Sequence, residues 1–305
     1  MSPAQPLNSI IDQAKGILSP DLLLVILGPT ASGKTRLAVE LAEQVGGEII
    51  SADSRQVYRH MDIGTGKDLA EYGNIPYHLI DICEPGERYQ ADRFRKDFFA
   101  AYDDITKRGK RPILCGGTGS YIQTVFQDRP YAQIPKNPAV QEELAHFSKE
   151  ELLQSIENSV VPEDLHIDTH SHKRLVRALE ILHYLQEHPQ EALQVLKPQR
   201  TVGNYMAFGL NPPLVQRRQR ITQRLQERLN SGLLEEVTSL LQAGLSPDTL
   251  LYYGLEYKYA LLHLQGNLPY DAFFEKLNTD IHRYAKRQMT YFRKMEKDGI
   301  TIHWL

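Results

Sequence analysis

The stretch LLLVILGPTASGKTRLAVELA, residues 22–42, decides the fold of this 305-residue chain. Residues 22–27 form an apolar run that predicts a buried strand. GPTASGKT, residues 28–35, fits the phosphate-binding pattern G-x-x-x-x-G-K-[ST]. Leu37, Leu41 and Val45 then recur at helical spacing before Gly46 and Gly47. The loop therefore lies between a strand and a helix N-terminus, where free backbone N–H groups attract the oxygens of a polyphosphate.

Every residue of this loop is a candidate ligand of a diphosphate group. The candidates are Gly28, Pro29, Thr30, Ala31, Ser32, Gly33, Lys34 and Thr35. Within such a loop the lysine contacts phosphate oxygens and the Ser/Thr hydroxyl contacts Mg²⁺, so Thr35 is the expected metal ligand. The pattern leaves open whether a nucleoside triphosphate or another compound that ends in diphosphate binds.

Composition limits the class of protein. The chain is 41% hydrophobic and 24% charged, which excludes disordered and fibrous proteins and predicts one large or two modest globular domains. Cys83 and Cys115, its two cysteines, lie in apolar runs, which favours a reducing compartment over a disulfide framework. The longest apolar run is too short to span a bilayer. We expect a cytoplasmic monomer with no membrane partner. Residues 1–20 are expected to form a short leader before the first strand.

Charge is unevenly distributed although the net charge is only −3. Residues 142–168 are strongly acidic, whereas residues 197–228 and 283–297 carry mostly lysine and arginine. Two basic blocks in the C-terminal third indicate a surface that binds a polyanion.

The order of elements predicts an α/β protein. Strand-like runs at 22–27, 48–52, 77–82 and 111–115, with helices after the first and third, indicate a P-loop NTPase-like parallel sheet flanked by helices. After Asp128, proline-rich sequence precedes acidic helices over 139–157 and 171–187 with no strand between them. We therefore expect a catalytic core over 20–125 and 200–305 with an inserted all-helical subdomain over 126–199. A strand over 205–210 would rejoin the sheet.

Two polar residues follow predicted strands and are candidates for chemistry. Asp53 is the carboxylate best placed for proton transfer, although the same position suits a helix N-cap or a metal ligand. Thr118 follows a pair of glycines and could donate a hydrogen bond to a leaving group or simply form a turn. His166, His170 and His172 lack the spacing of a common zinc motif, so contact with an acidic ligand suits them better.

Seven motifs occur in the order typical of one enzyme family. They are GPTASGKT at 28–35, S-x-D-S-x-x-x-Y at 51–58, MDIGTGK at 61–67, YHLID at 77–81, GGTGSY at 116–121, RLVRALE at 174–180 and AKRQMTYFR at 285–293. The chain resembles the tRNA dimethylallyltransferase, or IPP transferase, family from about residue 22 to residue 304. The resemblance implies transfer of a dimethylallyl group from dimethylallyl diphosphate to N6 of the adenosine 3′ of the tRNA anticodon.

The resemblance also implies roles for particular residues. Asp53 would be the general base, Thr118 would lie near the reacting centre, and Lys34 with Mg²⁺ would stabilise the departing diphosphate. The helical insertion would face the anticodon arm. The residues implied to contact tRNA are Asp53, Ser54, Arg55, Gln56, Lys173, Arg174, Leu175, Val176 and Arg177. Lys286 and Arg287, in the aromatic and basic run of residues 284–293, are further candidates for contact with the tRNA phosphates.

One departure concerns the donor site. Where the family usually has Gly-Tyr-Arg or Gly-Tyr-Lys, this chain has Gly254, Leu255 and Glu256, followed by Tyr257 and Lys258. Either Lys258 or another basic residue replaces that cation, or the protein handles its donor differently. The residues alone also permit two alternatives: a small-molecule or nucleoside kinase that uses ATP, and a nucleotide-gated RNA-binding protein.

Overall fold

The computed structural model describes residues 10, 19, 21–128 and 130–305, so the predicted leader over 1–20 lies almost entirely outside the described residues. The chain divides into two compact units. The sheet unit comprises Met1–Phe126 and Val202–Leu305, and the helical unit comprises Gln127–Thr201.

The sheet unit is built on six parallel strands. They are β1 (Leu23–Leu27), β2 (Gly47–Ala52), β3 (Tyr77–His78), β4 (Arg111–Gly116), β5 (Tyr205–Gly209) and β6 (Ile302–Trp304). Their spatial order is β3-β2-β4-β1-β5-β6. The predicted P-loop NTPase-like α/β architecture is confirmed, including the return of the chain to the sheet at β5.

Helices cover the sheet and form the second unit. In chain order they are α1 (Lys34–Val45), α2 (Ala91–Lys107), α3 (Gly119–Phe126), α4 (Pro138–Ala145), α5 (Lys149–Glu157), α6 (His172–Glu187), α7 (Pro189–Val195), α8 (Leu214–Asn230), α9 (Leu233–Gln242), α10 (Pro247–Tyr252), α11 (Leu255–Leu264) and α12 (Tyr270–Lys297). Short 3₁₀ helices occur at Leu69–Tyr72 and Pro130–Gln133. Helices α4 to α7 belong to the helical unit and the others to the sheet unit. None of the described helices combines the length and apolarity needed to cross a membrane.

Strand β1 is apolar throughout because both faces of the sheet are covered. Leu23, Val25 and Leu27 pack into one hydrophobic cluster. Leu24 and Ile26 pack into a second cluster with α1 on the opposite face. This alternation follows from the two-residue period of a strand, and burial on both faces is typical of parallel sheets.

Three strands end together at one edge of the sheet. Gly116 at the end of β4 is in register with Leu27 of β1 and with Ala52 of β2. A Cβ atom added at Gly116 would lie 2.2 Å from the carbonyl oxygen of Ala52, so a larger residue would push β2 and β4 apart. The phosphate loop, Asp53 and the Gly-Gly-Thr turn consequently start side by side, at the edge where ligands bind in open α/β sheets.

Two predicted elements differ from the structure. The third strand was expected over 77–82 but ends at His78. Leu79 and Asp81 have positive φ angles of 63° and 55°, which turn the chain away from the sheet. The helix expected over 139–157 is two helices, because Ser148 begins α5 with a capping box in which its side chain and that of Glu151 bond each other's backbone N–H groups.

Candidate active site

The phosphate loop curls around the N-terminus of α1. Ala31 and Gly33 have positive φ angles of 59° and 85°, which bring successive N–H groups toward the concave side of the loop. A Cβ atom at Gly28 would lie 2.7 Å from the Ser32 hydroxyl oxygen, so the first glycine gives this tight turn its room. The Ser32 hydroxyl is buried and has no hydrogen-bond partner among the described residues.

A cavity of about 290 Å³ lies at the carboxyl edge of the sheet. Of the predicted site residues it is lined by Thr30, Lys34, Thr35, Asp53, Ser54, Arg55 and Gln56. A wider groove of about 970 Å³ runs along the phosphate loop and shares Lys34, Thr35, Arg224 and Arg228 with the cavity. The structure thus brings the predicted general base and the predicted phosphate ligands together in one site.

Positive charge converges on the phosphate loop. Burial lowers the pKa of Lys34, and the nearby guanidinium groups of Arg224 and Arg228 lower it further, whereas Asp53 is a carboxylate that opposes the shift. Arg224 and Arg228 lie one turn apart on α8. Like charges in a shielded site repel each other, so this arrangement is stabilised when a polyanion binds among them.

Asp53 and Thr118 hold the loop that follows β2. One carboxylate oxygen of Asp53, Oδ1, accepts a hydrogen bond of 2.9 Å from the backbone N–H of Arg55. The Thr118 hydroxyl oxygen accepts a bond of 3.1 Å from the backbone N–H of Ser54. Asp53 lines the cavity, whereas Thr118 is not among the lining residues. Thr118 therefore contacts the backbone beside Asp53.

The segment 61–67 contributes residues 64–66 to the lining of the cavity and is fixed by charged side chains. The Glu236 carboxylate accepts hydrogen bonds from the backbone N–H groups of Asp62, Ile63 and Gly64 at 2.7, 2.7 and 3.0 Å. The buried ammonium group of Lys67 binds Asp62 at 2.8 Å and also Asp81. Lys67 therefore stabilises the conformation of this segment.

Gln288 on α12 is a site residue that the sequence prediction missed. Its amide oxygen accepts a hydrogen bond of 2.9 Å from the backbone N–H of Thr30. Its amide nitrogen donates a bond of 2.9 Å to the carbonyl oxygen of Gly117. This side chain is only 8% exposed and ties the phosphate loop to the turn after β4. The available signal was an uncharged glutamine between the charged and aromatic residues of 285–293.

Glu256 forms an ion pair inside the cavity. One oxygen of its carboxylate, Oε1, lies 2.8 Å from Nη1 of Arg228, and the two side chains are 18% and 13% exposed. Lys258 instead is exposed, and its ammonium nitrogen lies 5.3 Å from the ring centre of Tyr259. Lys258 does not line the cavity, so it does not replace the expected cation there.

The basic C-terminal helices present exposed cations. Lys286 and Arg287 are exposed on α12. The guanidinium of Arg287 lies 5.8 Å from the ring centre of Tyr284, which lines the cavity. Burial lowers the pKa of Arg217 on α8, and the neighbouring Arg218 and Arg293 lower it further. This cluster is the basic surface that the charge pattern predicted.

The helical unit holds the predicted contacts over 173–177, and two of them require correction. Leu175 and Val176 are 0% and 8% exposed and pack in the apolar core of the unit, so their side chains are not available to RNA. Helical periodicity turns these two residues inward, while Lys173 and Arg174 are exposed. Arg177 donates to the carbonyl oxygens of Pro135 and Ile134 and pairs with the buried carboxylate of Glu180.

The histidines of the helical unit are dispersed among structural contacts. A ring nitrogen of His172 lies 2.8 Å from the carbonyl oxygen of Phe147, and the backbone N–H of His170 donates to Asp168. Within the part of the chain that the structure describes, no three His, Cys, Asp or Glu side chains are grouped so as to hold a metal ion.

Comparison with known proteins agrees with this geometry. The family model for IPP transferase matches residues 56–295. The tRNA dimethylallyltransferase 2 of Trichlorobacter lovleyi is 47% identical over 285 residues, which cover 93% of this chain and 91% of that protein. The tRNA dimethylallyltransferase 1 of Geotalea daltonii is 48% identical over 285 residues, with 93% and 90% covered.

Solved structures of similar fold also come from enzymes of this kind. The tRNA isopentenylpyrophosphate transferase of Bacillus halodurans superposes with a TM-score of 0.67 at 30% identity, covering 93% of this chain and 89% of that one. A eukaryotic dimethylallyltransferase that acts on tRNA superposes with a TM-score of 0.71 at 25% identity, covering 92% and 73%. With its matching family model, its relatives of nearly half-identical sequence and its parallel sheet ending in a phosphate loop, this chain belongs to the IPP transferase family.

Proposed function

We propose that the protein is a tRNA dimethylallyltransferase. It transfers the dimethylallyl group of dimethylallyl diphosphate to N6 of the adenosine 3′ of the anticodon and releases diphosphate. The observation that supports this proposal is the cavity itself, which is lined by Asp53 together with Lys34 and Thr35. A base for the acceptor and a binding site for the leaving group are thus adjacent.

The phosphate loop binds the donor through its diphosphate. Backbone N–H groups at the start of α1 and the ammonium group of Lys34 contact the phosphate oxygens, and they stabilise negative charge as the bond to carbon breaks. The Thr35 hydroxyl lines the cavity and bonds no described residue, so it fits a Mg²⁺ ion. When bound, Mg²⁺ would neutralise part of the charge on the leaving diphosphate.

Asp53 takes the proton that the reaction releases. Its Oδ1 atom accepts from the backbone N–H of Arg55, which fixes the carboxylate and leaves Oδ2 without a partner among the described residues. As the new bond forms between N6 and the allylic carbon, the carbon–oxygen bond to diphosphate breaks and an N6 proton moves to Asp53. Thr118 supports this step by fixing the backbone of Ser54, the next residue.

The target base must leave its stack to reach Asp53, as in other base-modifying enzymes. Ser54, Arg55 and Gln56 line the cavity that would receive it. The Arg55 guanidinium already lies 4.9 Å over the ring of Tyr252, a planar surface of the kind on which unstacked bases rest. Lys286 and Arg287, with the exposed Lys173 and Arg174 of the helical unit, would contact the phosphate backbone of tRNA.

In this proposal the protein acts as a monomer in the cytoplasm, and its two free, buried cysteines suit a reducing compartment. A kinase is not favoured, because the relatives are transferases that are named for tRNA.

Labelled donor tests the proposal. Incubation of the protein with labelled dimethylallyl diphosphate, Mg²⁺ and unmodified tRNA should place label in the tRNA without ATP. Asp53→Asn should lower kcat by about 10²–10⁴-fold, as expected for loss of a general base, while tRNA affinity stays nearly constant. Asp271→Asn, an exposed change on α12 away from the cavity, is the matched control. Phosphorylation of a small acceptor without label in RNA would reject the proposal.

A further inference from the structure

We propose that Arg228 is a donor-binding residue of this enzyme and that Glu256 is the positioning residue that holds it toward the diphosphate. The inference rests on the proposed function, because the anion in question is the donor's leaving group. It also accounts for a carboxylate in a cavity built for phosphate: Glu256 contacts a cation there.

The hydrogen bonds of Arg228 to described residues use one guanidinium nitrogen, Nη1. Nη1 donates to Oε1 of Glu256 at 2.8 Å and to the carbonyl oxygen of Gly64 at 3.4 Å. Nη2 bonds no described residue, and the group lines both the cavity and the groove beside the phosphate loop. A guanidinium nitrogen whose N–H groups have no protein partner can donate hydrogen bonds to phosphate oxygens.

The backbone is shaped to admit this side chain. Gly66 has a positive φ angle of 66°, and a Cβ atom there would lie 1.9 Å from Nη2 of Arg228. Arg228 also has a buried Nε atom with no partner among the described residues. Burial of a charged group with an unsatisfied donor is costly, so its retention is better explained by a ligand than by stability alone.

The neighbouring Arg224 has a different carboxylate partner. Arg224 pairs with Asp68 and donates to the carbonyl oxygen of Gly66 at 3.2 Å. Arg228 has Glu256 as its single carboxylate partner among the described residues, and that carboxylate lies in the first turn of α11, where the helix dipole favours negative charge. Glu256 therefore fixes the orientation of Arg228 through Nη1 and leaves Nη2 unused by the described residues.

Calorimetric titration of the protein with inorganic diphosphate, in the presence of Mg²⁺, tests the inference without requiring transfer of the dimethylallyl group. Arg228→Gln should weaken diphosphate binding by about 10–100-fold, the range expected for a charge-assisted hydrogen bond. Glu256→Gln should weaken it by less, about 3–10-fold, because the cation stays but loses its orientation. Lys258→Gln removes a charge from an exposed neighbour outside the cavity and should leave binding unchanged.

The double variant decides whether Glu256 acts through Arg228. In the Arg228→Gln background, Glu256→Gln should cause no further loss of diphosphate binding, whereas an equal loss in both backgrounds would overturn the positioning role. Arg228→Lys keeps the charge but not the planar fork, and its intermediate affinity supports the inference should Arg228→Gln not fold. Donor KM should rise in Arg228→Gln with a smaller change in kcat for transfer.

The two proposals fail in different ways. Unchanged diphosphate affinity in Arg228→Gln, with label still transferred to tRNA by the unaltered protein, overturns the role of Arg228 and leaves the proposed function intact. Diphosphate binding that depends on Arg228, without transfer to tRNA by the unaltered protein, supports the binding site and rejects the proposed function.

Discussion

Gln288 gives the sharpest structural prediction, because one side chain joins two loops of the site. Gln288→Leu keeps the volume but removes both hydrogen bonds, the 2.9 Å bond from the N–H of Thr30 and the 2.9 Å bond to the carbonyl of Gly117. A buried polar group left unpaired costs about 1–3 kcal/mol. Gly117 is buried and Thr30 is half-buried, so the full cost applies to the carbonyl and a reduced cost to the N–H.

The expected result is a loss of about 2–4 kcal/mol in the free energy of unfolding. Urea unfolding followed by circular dichroism measures it, and donor KM should rise because Thr30 lines the cavity. Gln288→Glu separates the two bonds, since a carboxylate still accepts from Thr30 but repels the Gly117 carbonyl. Thr290→Ala, an exposed change on the same helix, is the control and should cost less than about 0.5 kcal/mol. Unchanged stability and KM in Gln288→Leu would refute the reasoning.

Three further predictions concern other parts of the sheet unit. The Arg108 guanidinium beside Glu48 lowers the pKa of that buried carboxyl to about 2, so its stabilisation is present above the unfolded pKa near 4.5 and is lost as pH falls through 2. Between pH 4.5 and pH 2, the free energy of unfolding of Glu48→Gln should therefore fall by about 2 kcal/mol less than that of the unaltered protein. An identical pH dependence in the two proteins would contradict this prediction. Gly66→Ala should weaken diphosphate binding at least tenfold, because the added methyl group would lie 1.9 Å from Nη2 of Arg228. Gly73→Ala is the control: Gly73 also has a positive φ angle, but a methyl group there would meet no atom of the described residues within 4 Å, so diphosphate binding should not change. Burial raises the pKa of the Cys115 thiol to about 12, so a thiol reagent at pH 8 should modify Cys115 only after the protein unfolds. Rapid modification of Cys115 in the native protein would contradict this prediction.

Local sequence patterns predicted the part of the fold that depends on near neighbours. The apolar run of β1, the phosphate loop and α1 lie within residues 22–45, and each has its own periodicity or turn residues. The short β3 was mispredicted because YHLIDI looks apolar in sequence. There, contacts distant in sequence decide the outcome: the buried ammonium of Lys67 holds Asp81 away from the sheet.

The site residues likewise separate into those predicted from local sequence and those that make contacts distant in sequence. Asp53 was predicted because it directly follows a strand, and Lys34 because it completes the phosphate-loop pattern of residues 28–35. Gln288, Glu236 and Arg228 were not, because each acts on a loop more than 150 residues earlier in the chain. Leu175 and Val176 show the opposite error, since a motif assigned to RNA contact contains both core and surface residues of one helix.

The bridge from Gln288 to Thr30 spans 258 positions of the chain, and the contact between Glu236 and Asp62 spans 174. Contacts so distant in sequence form late, because the intervening chain must first be ordered. During synthesis, the phosphate loop emerges long before the helix that fixes it. A nascent chain that stops before Gln288 lacks this support of its phosphate loop, so tight diphosphate binding should arise only after residue 288 has been added.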